Sequence, residues 1–224
     1  MINGIRLKVC GITSLVDADA ADAVGADYLG FIFYPKSPRW VSQPQMLAMK
    51  ERLPPRKQVA VSVEPTAADL ARQAELGFDF FQVHFNPQTP VPVIASWADV
   101  VGRERLWLAP RLPTGVNVYP EILPLADTFM LDTFHPEKMG GTGVTGDWAK
   151  FRQHREANPA KSWILSGGLN HQNVAEAVTA SGARWLDVNS GVEQAPGIKS
   201  PARLQAFVLS LHNATKQNNP GCGG

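Results

Sequence analysis

Eight short apolar runs recur along this chain, at residues 5–10, 27–33, 58–63, 79–84, 105–111, 128–133, 162–166 and 184–189, and helical patterning fills most of the gaps. Runs this short, with so little alternation, suit strands buried on both faces, the environment of a parallel sheet. A chain that repeats strand and helix eight times has few packings open to it, because each parallel connection must cross back over the sheet. The expected architecture is a single (β/α)8 barrel, a TIM barrel whose eight-stranded parallel sheet closes on itself. Its rival is a doubly wound open sheet. That fold usually carries a GxGxxG turn after its first strand, and Cys10-Gly11-Ile12-Thr13-Ser14 is not one.

Helices are expected over 15–24, 45–52, 67–76, 148–156, 172–180 and 202–211. Prolines interrupt or precede two further segments, 91–101 and 116–125. Asp17, Thr66, Asp147 and Asn170 stand where helices should begin, and Gly25, Gly77 and Gly182 where they should end. No linker divides the chain. The barrel is expected to occupy residues 1–214, with 215–224 a disordered tail. The tryptophans, Trp107 and Trp185 among them, read as packing.

The charge balance narrows the function. Lys and Arg total 21 against 20 Asp and Glu, so no field is present that would gather nucleic acid or an anionic membrane. Any anionic ligand must be held locally. The two cysteines, Cys10 and Cys222, make no disulfide framework and fit a reducing cytosol. No signal peptide is evident, and no apolar run approaches the roughly 20 residues of a membrane span. The reading is a cytoplasmic enzyme or binding protein.

In a barrel of this kind the site lies at the C-terminal ends of the strands, and side chains alternate with period two. The polar residues at those ends are Lys8 and Cys10, Gln82 and His84, Arg111, Asp132, Ser166, Asp187 and Asn189. Polar groups concentrated at one end of apolar strands are expensive to bury without purpose. Cys10 sits at a strand-to-helix turn, where an exposed sulfur beside helix N–H groups would favour its thiolate. The plain alternative is a small buried hydrophobe. Ser166-Gly167-Gly168 and Ser190-Gly191 follow the seventh and eighth strands, the usual phosphate site of this fold. Gly140-Gly141-Thr142-Gly143 reads as a glycine-rich lid, with Gly141 and Gly143 further phosphate contacts.

In matching order from residue 8 to about 205, several motifs resemble phosphoribosylanthranilate isomerase of tryptophan biosynthesis. They are Lys8-Val9-Cys10-Gly11-Ile12-Thr13, the run Gly30-Phe31-Ile32-Phe33-Tyr34-Pro35-Lys36-Ser37-Pro38-Arg39, Leu131-Asp132-Thr133, the glycine-rich lid, Ser166-Gly167-Gly168-Leu169-Asn170 and Asp187-Val188-Asn189-Ser190-Gly191-Val192-Glu193. The resemblance implies an Amadori rearrangement of N-(5′-phosphoribosyl)anthranilate, an aldose–ketose isomerisation that uses no cofactor and no metal. It implies Asp132 as the general acid that opens the ribose ring and Cys10 as the base that takes the C2′ proton. It assigns Arg39 to the anthranilate carboxylate, with Lys8, Gln82, His84 and Asn189 around the substrate. Ser166, Gly167, Gly168, Ser190 and Gly191 would hold the phosphate. The expected partner is a small phosphorylated substrate rather than nucleic acid or membrane, and the protein is a monomer or a homodimer.

The residues themselves leave two other readings open, another phosphosugar isomerase and a paralogue that binds phosphorylated ligands without turnover. Three departures bear on them. Phe85 stands where the family usually has a glycine after Gln-Leu-His, Ser62-Val63-Glu64 replaces Gly-Val-Phe, and Gly146 replaces a phenylalanine before Asp147-Trp148. These changes are expected to alter the walls around the substrate while sparing the acid and the base.

Overall fold

A computed structural model describes residues 1–113, 116–132 and 147–217. Eight parallel strands close into a barrel in sequence order. They are β1 (Arg6–Cys10), β2 (Tyr28–Ile32), β3 (Lys57–Val63), β4 (Phe80–Phe85), β5 (Leu106–Pro110), β6 (Thr128–Asp132), β7 (Ser162–Ser166) and β8 (Trp185–Val188). The helices are α1 (Leu15–Ala23), α2 (Gln43–Lys50), α3 (Ala67–Glu75), α4 (Val91–Val101), α5 (Trp148–Ala157), α6 (Val174–Ser181) and α7 (Pro201–Gln217). Between β5 and β6 a 3-10 segment, Pro120–Leu125, replaces the expected helix. Pro124, inside the segment, removes a backbone donor that an α-helical ladder would need, so the ladder cannot propagate there. Between β8 and α7 the chain adds a 3-10 turn and a two-stranded hairpin, β9 (Glu193–Ala195) with β10 (Ile198–Lys199). Helix α7 runs three residues beyond the boundary expected at 214, and the rest of the expected tail lies outside the described residues.

Two expected helix starts are corrected. Ser14, not Asp17, caps α1: its hydroxyl accepts from the Asp17 N–H and donates to the Asp17 carboxylate at 2.7 Å. That carboxylate also accepts from the backbone N–H of Lys199 at 2.7 Å, tying α1 to the hairpin. The capping motif spans Ser14 to Asp17, and the sequence reading chose its second member. Asn173, not Asn170, precedes α6; the Asn170 side chain instead accepts from the Gln172 N–H, holding the approach as an Asx turn. Thr66 and Asp147 cap α3 and α5 as expected.

Alternation divides the strands into two sets. Outward residues such as Leu7, Val9, Phe31, Phe81, Val83 and Leu165 are buried between sheet and helices in the main core. Inward residues fill the barrel: Cys10, Val59, Val61, Trp107, Ala109, Met130, Ile164 and Trp185, with Tyr28, Ile32 and Phe80. At the N-terminal end four rings plug the lumen. Tyr28 stacks on Trp185 at 4.9 Å, Phe80 on Trp107 at 4.9 Å, and Trp107 meets Trp185 edge-on at 4.9 Å. The opposite end carries the polar groups.

Candidate active site

Two cavities open side by side at the C-terminal mouth and share Ile32, Val61, His84 and Asp132 as walls. The smaller, about 260 Å³, is lined by Cys10, Gln82, Asp187 and Asn189 and by Ser166, Gly167, Gly168 and Ser190. The larger, about 490 Å³, is mainly apolar, with Val63, Ala109, Pro110 and Met130 against Tyr34, Ser37 and Arg111. One compartment offers backbone and hydroxyl donors after β7 and β8. The other offers a flat apolar slot with a guanidinium at its edge.

Below the smaller cavity lies a buried ion pair. Lys8 and Asp187 face each other in the β1–β8 register, and the fully buried Lys8 Nζ donates to Asp187 Oδ1 at 2.7 Å. Asp187 Oδ2 accepts from the Ser166 hydroxyl at 3.3 Å. Gly30, opposite Cys10 in the ladder, leaves room for this arrangement: a Cβ there would lie 2.9 Å from Lys8 Nζ and 3.0 Å from Cys10 Sγ. Lys8 was expected to touch substrate. It lines neither cavity and reaches the thiol from beneath.

Residues 7–210 match the model of the N-(5′-phosphoribosyl)anthranilate isomerase family. This chain belongs to that family.

The isomerase of Parvibaculum lavamentivorans is 33% identical over 220 residues, covering 94% of this chain and 99% of that one. The Cereibacter sphaeroides isomerase is 36% identical over 216 residues, covering 92% and 97%. Among solved structures, the isomerase of Thermus thermophilus superposes with a TM-score of 0.76 at 30% identity, covering 93% of this chain and 99% of that one. A phosphoribosylanthranilate isomerase bound to reduced 1-(o-carboxyphenylamino)-1-deoxyribulose 5-phosphate superposes with a TM-score of 0.72 at 29% identity, covering 93% and 99%.

Within this isomerase fold the electrostatics of the thiol depart from the sequence expectation. Cys10 is buried, 3% exposed, rather than displayed on a turn. Burial pushes its pKa up, Lys8 opposes that shift, and Asp187 adds to it. The balance lies above the ordinary thiol value, so the resting group is the protonated thiol. Burial also works against the Lys8 ammonium, yet Asp187 and Cys10 outweigh it and its pKa is raised. A cation that stays charged beside the sulfur favours the thiolate whenever the proton leaves.

Asp132 ends β6, where it stands exposed at the mouth. His84 lines both cavities, and burial first, then Lys8 and Arg111, drives its pKa down to about 3. The ring is neutral at physiological pH, with Nε2 2.7 Å from the Gln82 amide nitrogen. In this amide orientation Nε2 accepts, which puts the ring proton on Nδ1. The buried Gln82 Oε1 has no hydrogen-bond partner among the described residues.

Arg39 is held bidentately by Glu193, with Nε to Oε1 at 2.8 Å and Nη2 to Oε2 at 2.6 Å. Lys199 donates to the same carboxylate at 2.9 Å. Arg39 lines neither cavity, and its Nη1 is the guanidinium corner left outside this clamp. Gly191 also stands back from the cavity: a Cβ there would lie 2.0 Å from the Leu169 carbonyl oxygen, so its small size lets the loops after β7 and β8 meet. Gly141 and Gly143 lie outside the described residues.

Three of the departures from the family pattern, Phe85, Ser62 and Glu64, lie outside both cavities. The ring of Phe85 is wholly buried on the outer face of β4, 5.6 Å edge-on from Trp97 of α4. Ser62 also faces outward and donates to Gln73 of α3 at 2.8 Å. Glu64 adopts a positive φ of 43° and ties down the loop after β4, accepting from Thr89 at 2.7 Å and from the Asn86 side chain at 3.1 Å. None of the three lines either cavity, so the expected alteration of the substrate walls is not found at these positions. Gly146 lies outside the described residues. Sequence reading missed Tyr34, Ser37 and Met130 as cavity walls. Met130 is two residues before Asp132 on the inward face of β6, so the period-two rule could have found it.

Proposed function

We propose that the chain converts N-(5-phosphoribosyl)anthranilate into 1-(2-carboxyphenylamino)-1-deoxyribulose 5-phosphate in tryptophan biosynthesis, acting in the cytoplasm. The observation that carries this reading is a thiol on β1 and a carboxyl on β6 lining one cavity whose far wall is a phosphate-suited loop pair. An acid and a base of separate chemistry around one substrate-sized space are what an aldose–ketose rearrangement requires.

The phosphate occupies the smaller cavity, against the backbone of Gly167 and Gly168 and the hydroxyls of Ser166 and Ser190. The anthranilate ring fills the apolar slot, its carboxylate facing Arg111, while Arg39, already paired with Glu193, offers only its Nη1 corner as a further donor. The ribose then spans the shared wall, near Gln82, His84 and Asn189. Asp132, as the carboxylic acid, protonates the furanose oxygen while the C1′–O bond breaks, giving the protonated Schiff base. The phosphate and carboxylate of the substrate supply the negative field that keeps a proton on this exposed group. The Cys10 thiolate then removes the C2′ proton to give the enolamine, with Lys8 favouring that ionisation. Tautomerisation of the enolamine gives the ketone. Every residue in this scheme comes from one chain, which suits a monomer or a homodimer; the Thermotoga maritima isomerase is dimeric.

The test is direct. Freshly generated phosphoribosylanthranilate is mixed with the protein and the loss of its fluorescence is followed, with Cys10→Ala and Asp132→Asn in parallel. The expected result is rapid turnover by the parent and loss in both variants. A folded parent protein that binds the reduced product analogue but leaves the substrate unchanged would overturn the assignment.

A further inference from the structure

A third cavity, about 330 Å³, opens on the opposite face of the barrel, at the N-terminal ends of β1, β7 and β8. Four cationic side chains line it: Arg6, Arg155, Lys161 and Arg184. No carboxylate lines it among the described residues. In a chain whose charges balance to within one, this is a local cationic excess that folding neutralises only in part. Lys161 and Arg155 each have a carboxylate within ion-pair distance, while Arg6 and Arg184 have none among the described residues. Asp27 accepts from the Leu7 N–H at 2.9 Å and from the N-terminal amine. Asp127 is bound by Arg103 and lies 3.8 Å from Lys161, and Glu156 lies 3.7 Å from Arg155.

A second observation is independent of charge. Arg155 Nε and Trp185 Nε1 are buried donors with no partner among the described residues, and both residues line this cavity. Trp185 is only 6% exposed. A buried N–H without an acceptor costs about 1–3 kcal/mol, and these two would reach an acceptor in the cavity only after their side chains turn toward it. The Arg6 guanidinium lies over the Trp185 ring at 5.0 Å, which fixes one cation at the floor.

We propose that this cavity is an anion site, separate from the catalytic mouth, that takes a small molecule bearing a multiply charged phosphate group. Donors converge from three strand ends and from the last turn of α5, so they surround an acceptor rather than face it from one side. That arrangement suits tetrahedral phosphate, whose oxygens point in several directions, and guanidinium pairs with it in forked geometry. The volume lies at the low end for ligand pockets, which fits a compact anion rather than a polymer.

The experiment titrates inorganic pyrophosphate into the protein by calorimetry, with the mouth saturated by the reduced product analogue. The comparison proteins are Arg155→Gln/Arg184→Gln and, because Arg184 is exposed and its replacement leaves the core intact, Arg184→Gln alone. The expected result is binding at one site that persists under saturation of the mouth and weakens about tenfold or more in the double variant. Isomerase turnover should be unchanged in both variants. Loss of pyrophosphate binding once the mouth is filled, or equal affinity in both variants and parent, would overturn the proposal.

Discussion

At the scale of single residues the proposed chemistry rests on the thiol and its neighbours. Cys10→Ala should lower turnover by about 10²–10⁴-fold, the usual contribution of a positioned base, with the far-ultraviolet spectrum unchanged. Because burial raises the pKa of this thiol, the reactive thiolate grows as pH rises, so kcat/KM should climb from neutral into the alkaline range. A rising limb centred well below about 8.5, the ordinary thiol value, would contradict a buried thiol as the limiting base. Arg111 makes the complementary prediction for binding. Arg111→Gln should raise KM about tenfold, the worth of one charged hydrogen bond, and the effect should vanish with a substrate lacking the ring carboxylate. Steady-state kinetics on the two substrates checks it. That Cys10 and Asp132 line one cavity was legible because strand ends are where this fold keeps its polar groups. The sequence left burial of the thiol open beside exposure, since the outcome depends on the room Gly30 leaves and on Lys8 lying beneath the sulfur.

At the scale of elements the clamp of Glu193 on Arg39 and Lys199 matters most, because it joins the loop after β2 to the hairpin after β8. Glu193→Ala leaves two cations facing a void and should cost about 3–5 kcal/mol in urea unfolding. Burial raises the Glu193 pKa but Arg39 and Lys199 more than reverse it, leaving the group below its ordinary 4.5. Its stabilisation is therefore fully present above about pH 4.5 and is lost as pH falls through the lower folded-state value. Glu193→Gln should flatten that acid limb in thermal melts. Strand positions were read well from apolar runs, and the barrel followed from their number. The 3-10 segment over Pro120–Leu125 and the hairpin of β9 and β10 were not, because proline chemistry and a short edge pairing leave little periodic trace. Phe85 illustrates a subtler limit. Read as a wall residue, it is an outward one, and a single step along a strand separates those two fates.

At the scale of the whole molecule the lumen is graded from aromatic to polar along its axis. Trp107→Ala would open the plug formed with Tyr28, Phe80 and Trp185, and should cost about 3–5 kcal/mol by chemical denaturation. The same barrel of strands that carries the plug carries the proposed reacting groups at its other end. Trp185 and Asn189 are four residues apart on one strand path, about 13 Å at 3.3 Å per residue. That separation exceeds the range over which substitutions normally couple, so changes at the two ends should add. A lineage moving to a hotter habitat could therefore rebuild the aromatic end without negotiating with catalysis. One moving to a new substrate could redraw the mouth while its thermal tolerance stayed where it was. The barrel keeps two heritable traits on one set of strands and lets each be selected alone.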